Sequence, residues 1–259
     1  LKLSALLAQK KSSSSNVKSS GGVQLSNYEF SADAYDENRH FFLAHFFRDN
    51  YDDNMSQLPN IMSGITINRI EVWITNKSGQ TTNTRNIVGF TDLGEATHIS
   101  GIKWVSAGSE NPSNTSNDLY AAITALDGAR DISTATGTLD GAGLVGGTDY
   151  EKLESARLLN SSEYKLNSAL GYLSLRTALQ PDQVLAVAYE YTYRGATYQV
   201  GEFSTDQKNN SSTLFVKTLK NAANTPAPTA TPSAAEATAT PAPTAAPVSS
   251  APVVTKSPT

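Results

Sequence analysis

The side chains best placed for chemistry are the acids and amides that end the stretch HFFLAHFFRDNYDDN, residues 40–54. Closely spaced Asp and Asn oxygens are hard ligands of the kind that Ca²⁺ prefers. A calcium-binding loop of the EF-hand type, however, needs a glycine at its sixth position and a glutamate at its twelfth. Counting from Asp49, these positions hold Asn54 and Asn60. We therefore interpret the acidic end as the solvated exit of a helix.

The histidines and the paired carboxylates form no recognisable catalytic or metal motif. A spacing of five between His40 and His45 does not place two imidazoles on one helical face, and His98 is the remaining histidine. Carboxylate pairs lie in polar surroundings, without the burial that raises the pKa of a general acid. These pairs are Asp52 with Asp53 and Glu151 with Glu154. The sequence predicts no catalytic residues, no metal and no cofactor, and hence a non-enzymatic protein. A hydrolase would need a buried carboxylate pair or a histidine-centred site.

A glycine-rich stretch, GAGLVG at 141–146, matches the G-x-G-x-x-G pattern of dinucleotide-binding proteins. That fingerprint also needs a buried apolar strand immediately before it. The preceding DISTATGTLD is polar and small. We interpret the stretch as a glycine loop.

Composition limits the class of protein. The chain has 259 residues, 39% of them hydrophobic, which can supply the core of one large domain or two small ones. A net charge of -4 gives no basic surface for nucleic acid. The absence of cysteine excludes a disulfide framework. The opening LKLSALLAQKK has no initiator Met and no signal-peptide pattern, so we expect a fragment of a longer chain.

The local patterns are mostly those of strands. In ITINRIEVWITNKSGQ, the residues Ile70, Val72 and Ile74 alternate with polar residues and Trp73, which predicts a strand. Another strand is predicted at 171–176. In 184–203, a two-residue turn at Arg194-Gly195 would pair alternating residues across a hairpin and keep both apolar rows on one face. The predicted pairs are Tyr193 with Ala196, Tyr191 with Tyr198 and Tyr189 with Val200.

Three short helices are predicted. One covers 118–128, with Asn117 or Asp118 as the N-cap and Gly128 past its end. A second covers 148–159, where Glu151 follows Thr148 at the spacing of a capping box. The third runs over 36–50. Its i,i+4 pairs, Phe42 with Phe46 and Leu43 with Phe47, would form a stripe that packs on a sheet.

These elements predict an α+β, sheet-dominated fold and four sections of chain. Residues 1–9 are a possible barrel strand, and 10–27 a Ser-rich loop. Residues 28–219 are predicted to form a β-rich domain with a few short helices, and a division into two subdomains that meet near 107–147 is the alternative. Residues 220–259 are rich in Pro, Ala and Thr and predict a disordered tail.

Several long segments resemble successive stretches of the SprA/Sov family, the giant outer-membrane translocon proteins of type IX secretion and gliding motility. The segments are LKLSALLAQKK, YEFSADAYDENRHFFLAHFFRDNYD, ITINRIEVWITNKSGQTTNTRNIVGFTDLGE and GGTDYEKLESARLLNSSEYKLNSALGYLSLRTALQPDQVLAVAYEYTYRGATYQVGEFSTD. They cover most of residues 1–219 in the order of the family. The Pro-rich tail departs from the family's continuation.

The resemblance implies that the chain is an internal piece of a protein-export channel, in which one polypeptide forms a very large β-barrel. The implied partners are the remainder of that polypeptide, a plug protein, a cargo-receiving barrel protein and secreted cargo. The domain would be an insertion at the outer membrane. The extracellular face is favoured because extracellular loops of such barrels are long, and the periplasmic face stays open. The alternative is a cell-surface β-sandwich that binds glycan or protein, tethered by the Pro-rich tail.

Overall fold

A computed structural model describes residues 36–100, 103–207 and 212–222. Its strands are β1 (His40–Phe42), β2 (Ile65–Ile74), β3 (Thr84–Phe90), β4 (Tyr150–Leu158), β5 (Tyr164–Asn167), β6 (Tyr172–Leu175), β7 (Leu185–Tyr193), β8 (Ala196–Val200) and β9 (Leu214–Lys220). Its helices are α1 (His45–Asp49), α2 (Tyr51–Met55), α3 (Leu119–Thr124) and α4 (Ala135–Gly141). The predicted barrel strand at 1–9, the Ser-rich loop at 10–27 and the tail beyond residue 222 lie outside the described residues.

Five of the strands close into a small barrel. Their hydrogen-bonded order is β2-β4-β3-β9-β7, and β7 pairs again with β2. Neighbours are antiparallel except β3 and β9, which run parallel. Strand β8 extends the sheet from β7, and β1, β6 and β5 form a separate three-stranded sheet. The predicted sheet-dominated α+β class is confirmed.

Alternation along the strands separates two cores. The barrel core consists of residues from barrel strands together with Val184 and Phe203, and it contains the buried Trp73. Small residues face Trp73 from other strands, including Ala186 and Ala188. At Gly89 an added Cβ would lie 2.3 Å from Thr218 Oγ1, so this position must remain glycine for the barrel to close. The predicted alternation of β2 is confirmed, because Val72 and Ile74 lie in the other cluster.

The second cluster, here the outer core, lies between the barrel and the elements that cover it. It combines outward residues of the barrel strands with residues of β1, β6, α1, α3 and α4. Helix α3 confirms the helix predicted at 118–128, although it is shorter. Asn117 Oδ1 accepts a hydrogen bond from the Leu119 amide at 3.1 Å and so satisfies one free donor at the start of this helix.

The single helix predicted over 36–50 is wrong. Phe42 lies on β1, which pairs with β6, and the chain then turns at Ala44 into α1. Phe46 and Phe47 are therefore on a different element from Phe42, although all three contact the outer core. Phe42 and Phe47 are buried and Phe46 is half-buried, so the cluster anchors the core as the sequence indicated.

The helix predicted over 148–159 is also wrong, since this segment is strand β4. The pairing register between β4 and β3 shifts by one residue, so that two residues of β4, Glu154 and Ser155, lie opposite the single residue Asn86 of β3. Ser155 has a positive φ of 50°, and its amide donates to Asn86 Oδ1 at 2.9 Å. This β-bulge places Leu153 and Ala156 on the same face at a spacing of three, which imitates the period of a helix.

The hairpin of β7 and β8 has the predicted register. Tyr191 lies opposite Tyr198, and Arg194 and Gly195 form the turn with φ values of 49° and 82°. Positive φ at both central positions is the geometry of a type I′ turn, which matches the twist of antiparallel strands. The strand predicted at 171–176 is also present, as β6. Within the described ranges, no helix is both long and apolar enough to cross a membrane.

Candidate functional site

Two charged side chains from distant parts of the chain meet in the outer core. Glu95, in the loop after β3, is 3% exposed, and Lys217 on β9 is 4% exposed. Their charged atoms are 2.7 Å apart. The Lys217 ammonium also donates to the carbonyls of Thr91 and Leu93, each at 3.1 Å, so its three protons have three acceptors. A buried lysine is tolerated here because every donor is satisfied.

The electrostatics of Glu95 follow from this pairing. Burial by itself would raise the pKa of the carboxyl, but the Lys217 ammonium and the nearby His45 outweigh burial and lower it to about 2. His45 Nδ1 lies 3.1 Å from Glu95 Oε1, without the direction of a hydrogen bond. The His45 amide donates to the same oxygen at 3.3 Å. Glu95 therefore stays ionised and fixes the start of α1.

A second histidine extends this cluster to the surface. The rings of His45 and His98 are stacked, with centroids 4.6 Å apart and an interplanar angle of 26°. His98 Nε2 lies 2.7 Å from Asp49 Oδ2 at the end of α1. Asp49 also accepts two hydrogen bonds from Arg48. A continuous series of charged and imidazole groups thus connects the buried Glu95 to the exposed Asp49.

An open cleft of about 530 Å³ begins at Asp49. Its polar lining comes from the end of α1, the loop after β3 and residues 109–111. These lining residues are Asp49, Asn50, Thr97, Ser109, Glu110 and Asn111. The opposite wall is the β7–β8 turn, with Arg194 at its tip. The lining is thus mostly polar, with several hydrogen-bonding side chains.

Three aromatic rings form the apolar part of the cleft lining: Phe46, Tyr193 and Tyr198. Phe46 and Tyr193 are in edge-to-face contact with centroids 5.6 Å apart. Tyr198 stacks on Tyr191 at 5.2 Å and 23°, and its hydroxyl accepts a hydrogen bond from Asn111 at 3.1 Å. Because Tyr191 is fully buried, the Tyr198 ring is held in one orientation.

Another buried cluster is centred on Glu202 and has a structural role. Arg130 donates to both of its carboxylate oxygens, at 2.5 and 2.6 Å, and Tyr120 donates at 2.7 Å. The Phe215 amide donates to the same carboxylate at 3.0 Å. Burial, followed by the negative charge of Glu202, raises the pKa of Tyr120 to about 12. These bonds connect α3 and the following loop to β9.

Of the residues weighed in the sequence, His45, His98 and Asp49 come together in the cluster described above. The others lie elsewhere. His40 Nδ1 is hydrogen-bonded to the Ser174 hydroxyl on β6. Asp52 and Asp53 are exposed in the first turn of α2. Glu151 accepts from the Ala222 amide.

The glycine stretch GAGLVG follows helix α4 and precedes strand β4. Dinucleotide binding needs the reverse order, a strand before the glycines and a helix after them. The glycine-loop interpretation therefore agrees with the structure.

Within the described residues, the His98 ring is hydrogen-bonded to the Asp49 carboxylate and to no hydroxyl. In the same part of the chain, no group of three or more acidic or histidine side chains is arranged to hold a metal ion. The cleft instead offers fixed hydrogen-bonding groups and aromatic rings, which suit binding.

Sequence reasoning missed Glu95, His98 and Lys217 as one cluster. In β9 the neighbours two positions away from Lys217 are Phe215 and Leu219, both buried. The position of Lys217 on the apolar face of a strand could therefore have indicated that this lysine is buried and paired. No comparable pattern marks Glu95 or His98, which lie in a loop.

Comparison of the chain with models of protein families and with curated proteins finds no match.

Proposed function

We propose that the chain is a non-enzymatic, structural segment of an outer-membrane protein-export channel of the SprA/Sov type, as used in type IX secretion and gliding motility. The observation that carries this proposal is the ordered resemblance of the segments quoted above, which cover most of residues 1–219. The comparisons add no support to it, so the proposal depends on those segments and on its agreement with the fold.

The fold agrees with an insertion because the chain enters and leaves the described domain at neighbouring points. Near its entry, the Asn38 carbonyl accepts a hydrogen bond from the Leu179 amide at 2.9 Å. Near its exit, Lys220 donates to the carbonyls of Pro181 and Gln183 at 2.7 and 2.9 Å. The entry and the exit thus both contact the segment 179–183, which can span at most about 14 Å, so the two ends of the domain lie close together. A domain with close ends can interrupt a host chain without separating the host segments.

In this proposal the partners are the rest of the same polypeptide, the plug protein, the cargo-receiving barrel protein and the secreted cargo. The domain is held at the outer membrane. We favour the extracellular face, because long insertions in such barrels occupy the extracellular loops.

The test begins with the coding sequence on both sides of this segment, which should continue in frame into alternating barrel strands. Codons 36–222 are then replaced in the parent gene by a short Gly-Ser linker, and restored in a control strain. We expect the outer membrane to retain the channel protein while cargo in the medium falls. A start codon with a secretion signal directly upstream, or unchanged cargo export, would refute the proposal.

The membrane face is tested separately by cysteine labelling. Val105 is 68% exposed and Ala186 is fully buried, which makes them a matched pair for substitution with cysteine. A membrane-impermeant maleimide applied to intact cells should label the Val105→Cys peptide and leave the Ala186→Cys peptide unlabelled. Labelling only after the cells are permeabilised would place the domain on the periplasmic face.

The second candidate, a free-standing surface module that binds glycan or protein, is favoured by one observation, the aromatic-lined cleft. Its expected two-sheet sandwich is wrong, because the described strands form a closed barrel with a three-stranded sheet. The upstream coding sequence decides between the candidates, since only a free-standing module has its own secretion signal there.

A further inference from the structure

We propose that the cleft between α1 and the β7–β8 turn binds a short, uncharged saccharide. This goes beyond a structural role in export and holds whether or not the channel assignment is correct. The volume of about 530 Å³ lies within the range of small-ligand sites. Three properties of the lining favour a saccharide: its charge, its polarity and its aromatic rings.

The charge of the lining favours an uncharged ligand. The charged lining residues are Asp49, Glu110 and Arg194. Asp49 is paired with Arg48 at 3.0 Å, and the remaining charges, Glu110 and Arg194, are opposite in sign. A lining whose charges balance gives no electrostatic preference for a phosphate or for a polycation.

The polarity of the lining excludes a purely apolar ligand. Such a ligand would cover amides and hydroxyls without replacing their hydrogen bonds to water, which costs free energy for each group. Asn50, Asn111, Thr97 and Ser109 each bring donors and acceptors to the cleft. A ligand that carries many hydroxyl groups can satisfy both kinds of atom.

The rings supply the remaining part of saccharide recognition. A pyranose ring has apolar C–H faces as well as hydroxyl groups, and the C–H faces pack on aromatic rings. Tyr198 is preorganised for this contact, since Tyr191 covers one of its faces and Asn111 holds its hydroxyl. A ring fixed before binding loses little entropy when the ligand arrives.

Arg194 completes the site from the turn. Its guanidinium lies over the Tyr193 ring, 4.9 Å from the centroid, and its side chain is otherwise exposed. In this position it can donate to ligand hydroxyls at the open end of the cleft. The left-handed turn at Arg194 and Gly195 holds this side chain above the cleft.

The test uses the full chain and four probes, maltotriose, cellotriose, mannotriose and chitotriose, titrated by calorimetry and by saturation-transfer NMR. We expect at least one probe to bind with Kd on the order of 1 mM. Tyr198→Ala should weaken that binding by about three- to tenfold, the usual contribution of one aromatic contact. Tyr198→Phe, which keeps the ring, should lose less.

Two further variants keep the test decisive if Tyr198→Ala unfolds. Arg194 is exposed, so Arg194→Ala should fold normally and weaken binding by about threefold. Val145 is 57% exposed and outside the cleft, so Val145→Ala should bind like the unchanged protein. The proposal is overturned if none of the four probes binds, if both cleft variants bind like Val145→Ala, or if sodium pyrophosphate binds more tightly than every saccharide. None of these results bears on cargo export, which tests the channel assignment separately.

Discussion

Lys217→Met should destabilise the protein by about 3 to 5 kcal/mol at pH 7, which is the usual effect of removing one partner of a buried ion pair. The methionine replaces the lysine stem with little change in volume, so the effect reports the loss of the ammonium group rather than a loss of packing. It leaves the Glu95 carboxyl 3% exposed without its ammonium partner. It also removes the donor to the Thr91 and Leu93 carbonyls.

The pKa of Glu95 gives an independent magnitude. Its ordinary value is 4.5, and its value in the folded protein is about 2, a difference that corresponds to about 3 kcal/mol. Because the folded-state pKa is lowered, this stability is present above pH 4.5 and is lost as the pH falls towards 2. This contribution of Glu95 is of the same order as the cost expected for the loss of Lys217.

The variant should also change how stability depends on pH. Without the ammonium, burial is the main influence on Glu95 and raises the pKa of its carboxyl above 4.5. A raised folded-state pKa makes stability fall as the pH rises from 4.5 through that pKa. The difference in stability between Lys217→Met and the unchanged protein should therefore be smaller at pH 4 than at pH 7.

Urea unfolding at several pH values between 4 and 7 measures this difference. Lys220→Met is the matched control, because Lys220 is also buried on β9 and donates to three acceptors, all of them carbonyls. Its cost should vary less over the same pH range, because Asp182 and Glu151 act on Lys220 only as nearby charges, whereas its hydrogen-bond acceptors are uncharged carbonyls. A cost below about 1 kcal/mol for Lys217→Met, or one that does not change with pH, would refute the account of Glu95.

Three further variants test the packing and the acidic segment. Phe47→Ala should cost about 3 to 5 kcal/mol by chemical unfolding, because the ring is 1% exposed and contacts three other aromatic rings; a cost under 1 kcal/mol would contradict its role as an anchor. Gly171→Ala should lower stability by about 2 kcal/mol or more, since Gly171 has φ of 65° and a Cβ would lie 2.3 Å from the Phe47 ring. The double change Asp52→Asn with Asp53→Asn should alter stability by less than about 1 kcal/mol, and added Ca²⁺ should leave Tm unchanged; a calcium-dependent rise in Tm that the double variant abolishes would restore the metal site.

The parts of the fold that could be predicted are those set by local geometry. A two-residue turn fixes the register of its hairpin, so Tyr191 could be paired with Tyr198 from the sequence. Strand β2 was equally clear over residues 70–74, where Ile70, Val72 and Ile74 share one face, although a bulge between Ile67 and Arg69 shifts its register earlier in the strand. In both cases the information lies within about twenty consecutive residues.

The errors occurred where a distant contact decides the structure. Phe42 and Phe46 have helical spacing, but Phe42 pairs with Tyr172, a strand partner 130 positions later. In β4 the bulge opposite Asn86 places Leu153 and Ala156 on the same face at a spacing of three. A period measured over a few residues cannot separate a helix from a bulged strand.

The candidate site was harder to predict than the fold. The cleft combines the end of α1, two loops and a hairpin turn, and only the three-dimensional arrangement brings them together. Tyr198 was placed correctly on its strand, but the sequence did not show that Asn111 would bond its hydroxyl.

The position of β9 governs how the barrel assembles. It is the last described strand in the chain, yet it lies between β3 and β7, and its parallel contact joins Ile87 to Leu214. Until β9 is in place, the edges of β3 and β7 stay unpaired, so the barrel closes only once the segment up to Lys220 is available to fold. Contacts of such long sequence separation make folding slow, and they leave the unfinished sheet open to pairing with other chains. Protection of these two edges is therefore the step on which correct assembly of the barrel depends.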